Sequence, residues 1–230
     1  MSQKIRLAER PYVSIQGEGV HTGRSMLFVR LSGCRTSCWW CDTRYAQELW
    51  QTFDPETLWK LIEGFNCKDV WLTGGEPLDQ ADALLPLIEA THCNVNWYLC
   101  TSGTTFSDTV LKLVDNVWWV TIDYKLRSAL AKQATDLRFV NSVAAKKGSQ
   151  MEIKFVVGRV EDFTEIQELL NGRPDFREHA VIQPMYDPVT MKPLQTKVFA
   201  EHFIREFRNS GVRFMLQQHK HIWPGVKRGV

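Results

Sequence analysis

Gly33-Cys34-Arg35-Thr36-Ser37-Cys38-Trp39-Trp40-Cys41-Asp42-Thr43 decides the fold, because it places three cysteines in a C-x3-C-x2-C pattern. The stretch directly follows an apolar run at 26–31, which is typical of a buried strand. A closed structural zinc site takes four protein ligands, and a 4Fe–4S cluster usually takes four cysteines. Three thiolates on one short loop therefore indicate a cluster that leaves one iron open for another ligand.

The spacing of these cysteines resembles the motif of the radical S-adenosylmethionine (SAM) superfamily. The resemblance implies that Cys34, Cys38 and Cys41 ligate a 4Fe–4S cluster whose open iron binds the amino and carboxylate groups of SAM. The alternative is a zinc loop that a distant His or Cys completes. Paired C-x2-C knuckles are more typical of zinc loops, which favours the cluster.

Composition sets the class of protein. The 230 residues are 44% hydrophobic, enough for one sizeable core, so we predict a single domain over residues 1–230. The formal net charge of +2 argues neither for nor against nucleic-acid binding. We expect no direct nucleic-acid partner. The six cysteines lack the even spacing of a disulfide framework, which indicates a reducing compartment. Residues 1–13 lack the apolar core of a signal peptide, and no apolar run approaches about 18 residues, so we predict a cytoplasmic protein without a membrane partner.

Predicted strands and helices alternate along the chain. Strands are predicted at 25–32, 69–73, 94–100, 116–122, 151–157, 180–182 and 212–217, and helices at 54–64, 79–91, 136–146, 164–170 and 194–210. Such alternation is typical of an α/β fold in which helices cover a parallel sheet.

Polar segments follow the strands at their carboxyl ends. They lie at 34–43, 74–77, 101–103, 123–125 and 183–186. Ligands bind at that edge in α/β barrels and open α/β sheets, so we predict one shared site. Arg30 lies amid apolar neighbours on the first of these strands and needs an anion there, either a structural acid such as Glu18 or a substrate carboxylate held bidentately.

Further motifs narrow the resemblance. Gly74-Gly75-Glu76-Pro77 resembles the G-G-E motif of radical SAM enzymes, which contacts the methionine amino group of the cofactor. In order, the chain has Ser14-Ile15-Gln16-Gly17-Glu18-Gly19, Phe28 to Cys34, Trp40 to Thr43, Thr73 to Pro77, Thr101-Ser102-Gly103, Gln183-Pro184-Met185 and Gln218-His219-Lys220. This series resembles the 7-carboxy-7-deazaguanine synthase family from residue 12 to about 224.

The family resemblance implies a fold and a reaction. The fold is a partial (β/α)6-type radical SAM barrel of parallel strands, in which some of the helices can be shortened. The reaction contracts the ring of 6-carboxy-5,6,7,8-tetrahydropterin to 7-carboxy-7-deazaguanine with loss of ammonia, on the pathway to queuosine and other 7-deazaguanine nucleosides. A reducing partner such as a flavodoxin and a homodimeric state are implied as well.

The resemblance also implies a role for each matched residue. Thr43 would bind Mg2+, a hard cation that prefers oxygen ligands, and Arg30 would clamp the pterin carboxylate. The pterin contacts are Ile15, Gln16, Gly17, Arg30, Thr73, His219 and Pro224. The SAM contacts are Gly75, Glu76, Thr101, Ser102, Asp123, Tyr124, Lys125, Gln183, Pro184, Met185 and Tyr186.

The chain departs from the family pattern at three places. Cys100 stands where the family commonly has Glu, and Asp123-Tyr124 stands where it has Ser-Pro. The family proline near the carboxyl terminus matches Pro224 with a possible offset of one residue, to Trp223 or Gly225. Two other functions remain open from sequence: a small glycyl-radical-enzyme activase with the same cluster and SAM chemistry, and a non-enzymatic zinc or iron–sulfur module.

Overall fold

A curved, mostly parallel sheet forms the centre of the protein in a computed structural model, which describes residues 3–190, 192–226 and 228–229. Within that part of the chain the strands are β1 (Ile5–Leu7), β2 (Tyr12–Ile15), β3 (Ser25–Leu31), β4 (Gln51–Phe53), β5 (Asp69–Gly74), β6 (Asn96–Thr101), β7 (Trp119–Tyr124), β8 (Met151–Val157), β9 (Ala180–Pro184) and β10 (Arg213–Phe214). Their order across the sheet is β10-β9-β8-β7-β6-β5-β3-β1-β4, and β2 also pairs with β3.

Strand direction confirms the predicted α/β class. Each neighbouring pair from β3 through β5, β6, β7, β8 and β9 to β10 is parallel. The short strands β1, β2 and β4 pair antiparallel around β3. They were not predicted from the sequence, because three or four residues give too short a pattern to separate from a loop.

Helices cover the outer face of the sheet. They are α1 (Pro55–Glu63), α2 (Ala81–Thr91), α3 (Asp108–Asn116), α4 (Leu137–Lys147), α5 (Glu161–Gly172), α6 (Thr196–Glu206) and α7 (Gln218–Ile222). The predicted start of α1 is confirmed, since the Asp54 side chain accepts from the Thr57 amide and Pro55 is the first helical residue. Helix α3 is missing from the prediction, although Ser107 caps it in the same way by accepting from the Val110 amide. None of the described helices is long and apolar enough to cross a membrane.

The pleat divides the strand residues into two sets. Outward-facing side chains such as Leu72, Val120 and Phe155 pack with the helices in the main core. On the inner face, Phe28, Trp71 and neighbouring large side chains form a second apolar cluster. Further along the same face, polar side chains replace them: Arg30 on β3, Thr73 on β5, Asp123 on β7 and Lys154 on β8. The inner face of the sheet is therefore polar near the carboxyl ends of the strands, and large apolar side chains fill its other end.

Candidate active site

A cavity of about 570 Å³ opens at the carboxyl edge of the parallel strands. All five polar segments that follow predicted strands contribute to its wall, which supports one shared site. Most residues singled out from the sequence line it: Ile15, Gln16, Gly17, Arg30, Cys34, Cys38, Cys41, Thr43, Thr73, Gly75, Glu76, Thr101, Ser102, Asp123, Lys125, Met185, Tyr186 and His219.

Four of the predicted site residues do not line the cavity. Tyr124 follows Asp123 on β7, so its side chain points to the helical face, where its ring lies 5.4 Å from that of Phe155. Pro184 likewise pairs with the core residue Val157. Gln183 is fully buried beside the cavity wall, and its amide has no hydrogen-bond partner in the described chain. Pro224 lies after α7, and Val226 reaches the cavity in its place. Ligand contacts by Tyr124, Pro184 and Pro224 therefore stay predictions from the family resemblance, and the described cavity wall does not include these three residues.

The cysteine loop is held at both of its ends. Cys34 is clamped by the side-chain amide of Gln47, which accepts from the Cys34 amide at 3.2 Å and donates to its carbonyl at 3.1 Å. At the other end, the Trp39 amide donates to Ala129 O at 3.3 Å. Burial raises the pKa of the Cys38 thiol to about 11 and also raises the pKa of Cys41. Forming thiolates here therefore needs a cationic partner such as a metal cluster.

The donor set fits a 4Fe–4S cluster. Cys34, Cys38 and Cys41 line the same cavity, and cysteine thiolates are the ligands that hold such clusters in proteins.

Two glycines let the loop after β5 approach the cysteine loop. The Gly75 amide donates to Leu31 O and the Glu76 amide donates to Gly33 O, both at 2.8 Å. A Cβ on Gly75 would stand 1.7 Å from Gly33 O. Only glycine fits at this position, so the sequence motif reflects a close backbone contact with the residue before Cys34.

Replacing Gly75 with alanine is expected to destabilise the fold by about 3 kcal/mol or more, because the Gly33 backbone has to move. Denaturant unfolding measures the loss. Gly172→Ala is the matched control, since a Cβ there meets nothing within 4 Å. Equal stability of the two variants would contradict this expectation, because it would show that the Gly33 backbone moves at little cost in free energy.

Glu76 is buried and organises the next loop. Its carboxylate accepts from the Ser102 amide at 2.8 Å, the Leu78 amide at 3.0 Å and the hydroxyls of Thr101 and Ser102 at 2.5 Å. Burial raises the pKa of Glu76, although these hydrogen bonds act in the opposite direction. A carboxylate has about four acceptor positions, and four donors occupy them. Glu76 therefore fixes the Thr101–Ser102 segment against the G-G turn.

Arg30 is paired, but not with Glu18. Its Nε donates to Glu9 Oε1 at 2.6 Å, and its Nη2 donates to the Tyr12 hydroxyl at 2.9 Å. The Tyr45 ring centroid lies 5.6 Å from the guanidinium carbon, and the Tyr45 hydroxyl also donates to Glu9. The suggested pairing with Glu18 is wrong because the two lie on different walls. The contacts hold the guanidinium rigidly at the cavity.

A buried network of charges forms another wall of the cavity. Lys154 pairs with Glu18 and lies 3.8 Å from Asp123, which pairs with Lys125 at 3.0 Å. Burial raises the pKa of Glu18 and Asp123, but nearby cations outweigh it and lower both values, Lys154 acting on Glu18 and Lys125 with Lys154 acting on Asp123. Cys100 faces the same network, and burial raises the pKa of its thiol to about 12. Asp123 thus provides a carboxylate beside Cys100.

The carboxyl-terminal segment closes the cavity from outside. His219 packs so closely on Gly17 that a Cβ there would stand 2.3 Å from the imidazole Nδ1. Burial lowers the pKa of His219, which favours the neutral ring. Lys220 pairs with Asp42 at 2.5 Å, and the Thr43 hydroxyl donates to the same carboxylate at 2.8 Å. The segment around Gly17 and the cysteine loop are therefore both in contact with the α7 residues His219 and Lys220.

Five residues of the cavity wall were assigned no role from the sequence. Lys154, Asp42, Tyr45, Gln217 and Lys220 all line the cavity. For Lys154 a signal exists, because Glu152 and Lys154 alternate with apolar residues on β8 and therefore share the inner face. The others lie on loops or in the short α7 region, where periodicity gives no direction.

Comparison with known proteins agrees with this geometry. Residues 15–145 match a family model described as a 4Fe-4S single cluster domain. The chain is 30% identical over 234 residues to a 7-carboxy-7-deazaguanine synthase of Escherichia coli strain K12, covering 92% of this chain and 95% of the relative. It is 27% identical over 228 residues to a protein of the same name from Clostridium acetobutylicum, covering 95% and 96%. The crystal structure of QueE from Escherichia coli superposes with a TM-score of 0.71 at 27% identity, covering 94% of this chain and 95% of that one.

Proposed function

The chain belongs to the 7-carboxy-7-deazaguanine synthase family, and we propose that it converts 6-carboxy-5,6,7,8-tetrahydropterin to 7-carboxy-7-deazaguanine with loss of ammonia. The reaction is that of a radical SAM lyase and supplies 7-deazaguanine and queuosine biosynthesis. One observation carries the proposal: three cysteines, the G-G-E turn and a rigidly held arginine line the same cavity.

The cofactors of this reaction are a 4Fe–4S cluster and SAM. When bound, they supply reductive cleavage of SAM and removal of a hydrogen atom from the substrate. Cys34, Cys38 and Cys41 would ligate the cluster, and the wall made by Gly75, Thr101 and Ser102 would accommodate SAM. Glu76 would act by holding that wall in place, since its oxygens already accept four hydrogen bonds.

Unpaired polar atoms in the cavity wall match the needs of a pterin. Gln16 Nε2, Gln217 Oε1 and Asp123 Oδ1 are buried and lack a hydrogen-bond partner in the described chain. Each belongs to a residue of the cavity wall. An aminopyrimidinone ring offers both N–H donors and a carbonyl acceptor, so it can satisfy both kinds of atom, which are costly to leave unpaired. Arg30 would bind the substrate carboxylate, and neutral His219 would provide a further hydrogen bond.

Further parts of the proposal rest on the family resemblance. Mg2+ would bind near Thr43, where the Asp42 carboxylate adds oxygen donors, provided that Lys220 releases its ion pair with Asp42. We further propose that the chain works as a single domain in a homodimer and that a flavodoxin-like protein delivers the electron. A cytoplasmic location follows from the need for reduced thiolates.

The proposal predicts a defined product. Protein reconstituted anaerobically with iron and sulfide should form 7-carboxy-7-deazaguanine and ammonia from carboxytetrahydropterin when SAM and dithionite are present. Mass spectrometry detects the product, and omission of SAM is the control. SAM cleavage without a deazaguanine product would contradict the proposal and favour a glycyl-radical-enzyme activase. Absence of SAM cleavage in protein with a full cluster would favour a non-enzymatic module.

A further inference from the structure

The 15–20 segment, which carries three of the predicted pterin contacts, lies against the inner face of β8. Lys154 pairs with Glu18 in the middle of the segment, and Glu152 accepts a hydrogen bond from the amide of Val20 at its end. Lys154 lines the cavity, whereas Glu152 does not belong to the described cavity wall. Glu152 therefore contacts the segment from outside the ligand site.

Glu152 is buried and binds the backbone of this segment directly. The residue is 1% exposed, and its Oε2 accepts from the Val20 amide at 2.8 Å. Its Oε1 accepts from the Thr121 hydroxyl of the neighbouring strand β7 at 2.7 Å, and the Trp119 indole donates to the same Thr121 oxygen at 3.2 Å. One carboxylate oxygen is therefore bound to the sheet and the other to the segment, so that Glu152 joins the two.

Gly19 shows how closely the segment approaches this carboxylate. A Cβ on Gly19 would stand 2.2 Å from Glu152 Oε1 and 2.6 Å from Glu152 Oε2. The Gly19 φ of 66° also lies in the left-handed region that favours glycine. The second glycine of Gly17-Glu18-Gly19 is therefore required by Glu152, just as the first makes room for His219.

Both ends of the segment are held independently of Glu152. Ile15 is the last residue of β2, and the His21 ring packs edge-on against the Trp119 ring with a centroid distance of 4.4 Å. A further contact comes from α7, whose first residue donates its amide to Gly17 O at 2.8 Å. Loss of the Glu152 hydrogen bonds should therefore shift the residues between these contacts without unfolding the chain.

We propose that Glu152 is a positioning residue for the substrate: it holds the segment against the sheet and thereby aims Gln16 at the pterin. The inference rests on the proposed function, because only a pterin-binding cavity gives Gln16 this task. Gln16 Nε2 is buried without a partner in the described residues, while Gln16 Oε1 accepts from the Glu18 amide at 3.0 Å. The direction of the free N–H group therefore follows the backbone of the segment, and a backbone shift misplaces a donor that the pterin ring can accept from.

Three variants test the proposal. Glu152→Met removes both hydrogen bonds with a side chain of similar length, and Glu152→Gln keeps an oxygen that can accept from the Val20 amide. The matched control is Thr91→Val on α2, which also removes two buried hydrogen bonds. There the Thr91 hydroxyl donates to Leu87 O at 2.6 Å and accepts from the Trp97 indole at 3.1 Å, away from the cavity wall.

The measurements separate substrate binding from stability and from the chemistry of SAM. Each protein is reconstituted with its cluster and titrated with 6-carboxypterin, the oxidised and fluorescent form of the substrate, in the presence of SAM. Steady-state kinetics with carboxytetrahydropterin give KM and kcat separately. The yield of 5′-deoxyadenosine without substrate measures uncoupled SAM cleavage, and denaturant unfolding measures stability.

The expected result is a loss of substrate affinity. Glu152→Met should bind 6-carboxypterin about 10-fold or more weakly than the parent and raise KM by a similar factor, with kcat within about threefold, because the contacts of Gln16 hold ground state and transition state alike. Uncoupled SAM cleavage should stay within about twofold, since the SAM wall is untouched. Glu152→Gln should keep the affinity within about threefold of the parent. Thr91→Val should lose stability but keep the affinity.

Unchanged affinity for 6-carboxypterin in folded Glu152→Met would overturn the inference. An equal loss in Thr91→Val would do the same, since it would reveal only a general effect of lower stability. If Glu152→Met does not fold, Gly19→Ala decides, because its added Cβ displaces the segment from the same carboxylate. Gly19→Ala should bind 6-carboxypterin about 10-fold more weakly, and parent-like affinity would refute the role of Glu152. The proposed function fails by a different result: no 7-carboxy-7-deazaguanine from the parent chain.

Discussion

Replacing Cys34 with alanine is expected to abolish the cluster and with it the formation of 5′-deoxyadenosine. The cysteine loop carries three cysteines, and the other described thiol that lines the cavity, Cys100, lies on β6 beside the Lys154–Asp123 network and not on the loop. Removal of residues that merely orient a ligand typically costs 10–100-fold in metal affinity. Loss of a direct ligand should therefore reduce activity by more than about 100-fold. Iron and sulfide content, the visible absorbance of the cluster and 5′-deoxyadenosine yield measure the effect.

Cys67→Ala provides the matched control for this experiment. Cys67 is partly buried in the loop between α1 and β5, where its thiol donates to Asp69 O at 3.4 Å, and it does not line the cavity. The Cys67→Ala protein should keep a full cluster and full cofactor cleavage. A Cys34→Ala protein that retains its iron and sulfide would show that the ligands have been assigned wrongly.

The sequence predicts the central strands well because apolar side chains recur along each of them. β8 is confirmed at both ends, at Met151–Val157, since Met151, Ile153, Phe155 and Val157 recur at every second position, which is the period of a strand. The strand predicted at 212–217 is only Arg213–Phe214, because the chain then leaves the sheet edge and Gln218 binds the carbonyl of Gly17 instead. Helix α3 escaped prediction because its apolar face consists of only Val110, Leu113 and Val114.

The site is predictable in its location but not in its pairings. The rule that ligands bind at the carboxyl edge of parallel strands brings distant polar segments together without knowledge of their contacts. The pairing of Arg30 with Glu9 depends on how the segment before β2 folds back over β3, which local patterns do not indicate. The pairing of Lys154 with Glu18 likewise joins residues 136 positions apart. The alternation of side chains along a strand was the one available signal for side-chain direction. It places Asp123 on the cavity face of β7 and Tyr124 on the helical face.

Arg30 is the residue whose conservative replacement should cost most in substrate capture. Its guanidinium is held by Glu9 and Tyr12 through Nε and Nη2 in the wall of the cavity, where a substrate carboxylate can approach it. Lysine would keep the positive charge next to Glu9 but cannot make two parallel hydrogen bonds to a carboxylate. Since substrate position governs the rate of hydrogen removal, we expect a loss of about 2 to 4 kcal/mol, or roughly 30- to 1,000-fold in kcat/KM, in Arg30→Lys.

The experiment on Arg30 separates substrate binding from a purely structural ion pair. Arg30→Lys should retain its cluster and slow, uncoupled SAM cleavage while losing most turnover of carboxytetrahydropterin. Glu9→Gln is the matched variant, since it weakens the same ion pair but leaves the guanidinium in place to bind the substrate. If Arg30 holds the carboxylate, Arg30→Lys should lose far more kcat/KM than Glu9→Gln. Near-wild-type kcat/KM in Arg30→Lys, with similar losses of thermal stability in both variants, would show that Arg30 serves only to pair with Glu9.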